Sequence, residues 1–183
     1  MTRLEEGLRA VAEALDQERL PYMLIGGAAA ILWGSTRTTM DADVTVWIGD
    51  STPDAWVPRL LRHLKARTPD PVGFAGETRV LPATTANGLP VDIVFGQLPF
   101  EEEAIKRAAT MDVAGYPVKV CGVADLILHK VISGRPRDEE DVRFLIGRHR
   151  ATIDRPALEA SVRSLSDLLA DSTILSRFLS SWS

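Results

Sequence analysis

Two periodicities run through the apolar positions of this chain, and they divide it into elements. Leu4, Leu8, Val11 and Leu15 recur at steps of four, three and four, which predicts an amphipathic helix over residues 2–18. Thr2 followed by Glu5 is a capping-box pattern at its start. Residues 22–25 form a short apolar run between Pro21 and a glycine pair, the mark of a brief buried strand. Residues 28–33 then read as a short, tightly packed helix. Over 41–48 the period drops to two, with Asp41 and Asp43 on one face and Ala42, Val44, Val46 and Ile48 on the other. A turn ending at Pro53 opens a helix over 53–66 with Trp56, Leu60, Leu61 and Leu64 inward. Pro69-Asp70-Pro71 ends it. Strands are predicted over 72–74, 78–81 and 89–95, with Asn87-Gly88 as a hairpin signal before the last. A helix over 101–109 and a small hairpin, 111–113 with 117–120, follow. The remainder reads as helices over 122–133, 137–149, 155–170 and 174–179.

This order predicts a mixed α/β chain: a small mixed sheet flanked by helices over residues 1–120, and a helical C-terminal part over 121–183 packed on it as a single compact unit. The 183 residues suit one domain with a helical extension. An apolar fraction of 45% is ample for a core. The net charge of −4 does not call for a broad basic surface, although a local arginine cluster could still meet RNA. One cysteine, Cys121, excludes an internal disulfide and a cysteine-rich zinc site, and a cytoplasmic location fits. Charges interrupt the apolar pattern at the N-terminus, so no signal peptide is read there. No apolar run is long enough to span a bilayer, and no membrane partner is expected.

The candidate chemistry gathers in residues 22–48. Gly26 and Gly27 let the backbone turn sharply and approach a bulky group closely. The helix after them offers free N–H groups to an anion, phosphate above all. Asp41 and Asp43 would stand side by side at the start of a strand, where they repel each other and call for a cation. Carboxylate oxygens favour Mg²⁺, with Mn²⁺ as a substitute. Asp92, between Val91 and Ile93, is costly there unless paired or metal-bound. The plain alternatives are solvated acids, an edge-strand aspartate and an ordinary tight turn. Arg37 could meet a phosphate or simply balance Asp41. Thr38 and Thr39 read as the entry to the strand. Asp138 and Asp141 sit at a helix start, where capping explains acids without catalysis. His63, His129 and His149 carry no assigned chemistry, and the four tryptophans do not align as a stacking platform.

Ile25-Gly26-Gly27, thirteen residues, then Asp41-Ala42-Asp43-Val44, with a later Asp92 between apolar neighbours, resembles the signature of the DNA polymerase β-like nucleotidyltransferase superfamily. The Gly26-Gly27-Ala28-Ala29 opening, the Arg37–Asp43 run, Lys130, and the segment from Arg135 to Asp141 look most like its AbiEii-type group, which includes toxins of toxin–antitoxin pairs. The resemblance covers roughly residues 20–150. It implies a nucleotidyltransferase fold, and Mg²⁺-dependent transfer of a nucleoside monophosphate from an NTP to an acceptor hydroxyl. Asp41, Asp43 and Asp92 would be catalytic and metal-binding. Gly26, Gly27, Arg37 and Lys130 would bind the nucleotide. RNA, such as a tRNA 3′ end, would be the acceptor and an antitoxin protein the partner. Two rivals are a drug-modifying enzyme, an aminoglycoside or lincosamide nucleotidyltransferase, and a non-catalytic nucleotide- or partner-binding module on the same fold.

Overall fold

A computed structural model of the chain describes residues 1–182. The chain divides into two compact units: Met1–Ala29 with Arg37–Cys121, and Ala30–Thr36 with the chain from Gly122 onward.

In the first unit, α1 (Arg3–Gln17) is closed by the expected box: the Thr2 hydroxyl accepts from the Glu5 N–H, and the Glu5 carboxylate accepts from the Thr2 N–H. β1 (Tyr22–Ile25) leads into α2 (Gly26–Leu32), which is two residues earlier in starting than the apolar pattern suggests. β2 (Ala42–Val46) follows, then α3 (Pro53–Leu60), β3 (Lys65–Ala66), α4 (Pro71–Thr78), β4 (Val80–Thr84), β5 (Pro90–Phe95), α5 (Pro99–Lys106), β6 (Ala109–Val113) and β7 (Tyr116–Val120). Among the described residues these strands form one seven-stranded mixed sheet in the order β3-β4-β5-β2-β1-β7-β6. β2 runs antiparallel to β1 and parallel to β5. The last two strands are joined by Ala114 and Gly115, both at positive φ (55° and 76°), the turn whose twist matches a hairpin.

The pleat sorts the side chains of the central strands. Ala42, Val44 and Val46 of β2 and Val91, Ile93 and Phe95 of β5 are buried in the core. Asp43 and Asp92 alternate with them and point the other way. α1 packs against β6 and β7, α5 against β1 and β2, and α4 against β4. At the end of α1, the nearly buried Glu18 accepts hydrogen bonds from His63, Arg59 and Arg62. The His63 bond above all, with both arginines, holds the Glu18 carboxyl down at about 2.

Two expected elements differ. The helix read over 53–66 stops at Leu60, with Pro58 inside its last turn, and the chain enters β3 five residues later. Residues 72–74, read as a strand, lie inside α4. Asp70 caps that helix by accepting from the Gly73 N–H, and Pro71 takes its first position, so local capping outweighs a three-residue apolar run.

The second unit is helical. Beside the segment Ala30–Thr36 it holds α6 (Val123–Ser133), α7 (Pro136–His149), α8 (Arg155–Leu168) and α9 (Ser172–Ser180). α6 packs against α7, α8 and α9. No described helix is long and apolar enough to cross a membrane.

Candidate active site

The β1–α2 turn is built around Gly26. Its φ of +68° is left-handed, which only glycine adopts freely. The space is also taken, since a Cβ added there would fall 2.1 Å from Oδ2 of Asp43. β1 and β2 are antiparallel with Ile25 opposite Asp43, and this register brings the aspartate against the turn. Gly26→Ala is expected to destabilise the protein, the left-handed backbone alone costing about 1–2 kcal/mol, and to push Asp43 aside. Urea unfolding matching the native chain would contradict this packing.

Gly27 is crowded from the other side. A Cβ there would meet Oγ1 of Thr39 at 2.9 Å and a terminal guanidinium nitrogen of Arg37 at 3.3 Å. The chain therefore passes back over the glycine pair and lays a cation and a hydroxyl against it. Thr39 also donates to Oδ1 of Asp41 at 2.7 Å, which fixes that exposed carboxylate two residues further on. Thr39 is more than an entry residue for the strand.

Asp92 joins this group through the sheet. β2 and β5 run parallel with Asp43 directly opposite Asp92. Neighbouring strands lie about 4.8 Å apart, so the two acids project from adjacent positions on the same face. The glycine pair, Arg37, Asp41, Asp43 and Asp92 are thus assembled from the α2 start, the chain before β2, β2 itself, and β5.

The carboxylates do not converge as they stand. Among the described residues, no three His, Cys, Asp or Glu side chains are grouped closely enough to hold a metal. Asp41 is turned to Thr39, while Asp92 accepts from Arg67. Arg67 has no local signal in sequence: it reaches Asp92 only because β3, β4 and β5 are paired side by side. The donor set itself suits a hard divalent cation, since it offers carboxylate oxygens alone. Asp41 and Asp92 are each engaged by a neighbour outside the trio.

Lys130 lies in the second unit, on α6, and is buried. Its ammonium donates to Asp141 at 2.6 Å and to Asp138 at 3.0 Å, both on α7. Burial pushes the Asp138 carboxyl up, but the hydrogen bond from Ser133 and the Lys130 ammonium outweigh it and leave it below the usual aspartate value. Arg135 and Arg137 are exposed.

No family model and no curated protein matches this chain. Solved structures do. An antigenic nucleotidyltransferase-like protein from Paracoccidioides brasiliensis superposes with a TM-score of 0.59, covering 96% of this chain and 93% of that one at 19% identity. The solution structure of the antibiotic-resistance factor ANT(2'')-Ia gives 0.54, covering 88% and 91% at 19% identity. The same factor in complex with adenylyl-2''-tobramycin gives 0.52, covering 85% and 94% at 18% identity. The fold is that of the nucleotidyltransferases. At these identities the likeness concerns the fold alone.

Proposed function

We propose that the chain transfers a nucleoside monophosphate from an NTP to an acceptor hydroxyl and releases pyrophosphate, with Mg²⁺, or Mn²⁺ in its place, held by Asp41, Asp43 and Asp92. The observation that carries this reading is the opposition of Asp43 and Asp92 across β2 and β5, directly against a glycine pair overlaid by Arg37. The metal, when bound, neutralises the triphosphate and lowers the pKa of the acceptor hydroxyl.

The chain's own residues do the rest. The glycine backbone and the Arg37 guanidinium hold the triphosphate oxygens. Asp92 is the candidate base for the acceptor proton, or a third oxygen donor. The acceptor oxygen bonds to the α-phosphorus as the bond from that phosphorus to the pyrophosphate oxygen breaks. Lys130 is assigned to cohesion of α6 and α7, because a phosphate would have to displace two carboxylates from a buried ammonium.

Two acceptor classes have support. The AbiEii resemblance points to RNA, with an antitoxin as partner, in the cytoplasm where NTPs and Mg²⁺ are at hand. The likeness to a factor solved with adenylyl-2''-tobramycin, together with a net charge of −4, points to a cationic aminoglycoside. The protein should be incubated with each α-labelled NTP and Mg²⁺, against total RNA and against tobramycin in separate arms, beside an Asp41→Ala, Asp43→Ala control. Label on one acceptor that disappears in the control is the expected result. Label that persists in the control overturns the site, and no label with no NTP binding overturns the enzymatic reading.

A further inference from the structure

We propose that Arg67 is a positioning residue which competes with the divalent cation for the carboxylate of Asp92. The inference rests on the metal-binding reading above and adds to it a residue that no sequence motif marks.

Arg67 follows β3, and its placement is determined at three points. Its backbone N–H donates to the Pro82 carbonyl at 2.9 Å, and Nε donates to the Ala83 carbonyl at 2.9 Å. The remaining arm of the guanidinium donates to Oδ1 of Asp92. Pro82 is the residue opposite Asp92 in the β4–β5 ladder, so the anchored arginine lies beside the aspartate it contacts. On its other side, Asp92 faces Asp43. The Asp92 carboxylate therefore has two calls on it: a fixed guanidinium across β4, and whatever cation Asp43 and Asp41 attract across β2.

The first of these is easily surrendered. The side chains of Arg67 and Asp92 are 38% and 44% exposed, and an ion pair so open to water contributes little to stability. It can be exchanged for a divalent ion without unfolding anything. It also keeps Asp92 from adding its charge to the Asp41–Asp43 pair, where like charges repel. The consequence is a threshold. A cation recruits Asp92 only when its pull exceeds that of Arg67, and removing Arg67 lowers the threshold.

The test is Mn²⁺ binding to the nucleotide-free protein, read as loss of the free-ion paramagnetic resonance signal, with circular dichroism melts as the fold control. Arg67→Gln is expected to tighten Mn²⁺ binding by about tenfold, because the Asp92 carboxylate no longer has to be drawn away from a guanidinium before it can join the ion. The same change in an Asp92→Asn background is expected to do nothing. Equal tightening in both backgrounds would mean a general charge effect and overturn competition through Asp92. Binding that is abolished by Asp43→Asn but indifferent to Arg67→Gln overturns the role of Arg67 alone. Binding indifferent to Asp43→Asn overturns the metal reading on which it stands. Should Arg67→Gln fail to fold, Arg67→Lys keeps the charge but cannot hold Ala83 and Asp92 together, and it is expected to give part of the gain. No gain there overturns the proposal equally.

Discussion

Asp43→Asn is expected to lower nucleotidyl transfer by about a thousandfold or more, while leaving the melting temperature unchanged or slightly raised. The rate effect follows from what a carboxylate at this position supplies. A metal held at the transferred phosphate contributes several kcal/mol of transition-state charge stabilisation, and each 1.36 kcal/mol is a factor of ten in rate. Loss of about 4 kcal/mol therefore removes about three orders of magnitude. The stability effect has the opposite sign because of the neighbours. Asp43 stands opposite Asp92 and two residues after Asp41, so the amide relieves repulsion while keeping the shape that fits against Gly26. A purely structural aspartate would behave the other way: its loss would destabilise the fold and leave kcat near normal once folded material is assayed. Transfer within tenfold of the native rate would remove Asp43 from the catalytic group.

The legible part of this chain is the part governed by short-range patterns. The period-two alternation of β2 and β5 is visible as Asp-Ala-Asp-Val and Val-Asp-Ile-Val, and it places the two acids on the face opposite the core. Gly26 is legible as a turn, but that Asp43 excludes any Cβ there depends on the β1–β2 register, which no local pattern gives. β3 escapes reading because two residues carry no periodicity, and its existence depends on β4. Arg67 is hidden for the same reason: its partner Asp92 lies 25 residues away across three paired strands. Thr39 had a local signal, a hydroxyl two residues before an aspartate, a spacing at which side chains bond one another within a turn. Lys130 is legible as a lysine in a largely apolar helical run. What a linear reading could not supply was that Asp138 and Asp141 of α7 spend their charge on it, while the helix start carries no side-chain cap.

Lys130→Met is the substitution expected to damage stability most, by about 3–5 kcal/mol in denaturant unfolding. Methionine matches the lysine stem in length and apolar character, so packing is largely kept and the lost interaction is the charge. Asp141 is 5% exposed and would be left as a buried carboxylate without its ammonium. The pH dependence carries the sign. In the native chain the Asp138 carboxyl is held below its ordinary value of 3.8. Its contribution is present above that value and is lost as the pH falls through the lower folded one. The stability gap between the two proteins should therefore narrow as the pH falls below 3.8. Adding Asp141→Leu to Lys130→Met should recover much of the loss, since an apolar pair of similar volume replaces a buried ion pair at little cost. A nucleotide-binding lysine predicts a different pair of results: an unchanged unfolding curve and a weakened affinity for NTP. Measuring both on the same variant decides which role Lys130 holds.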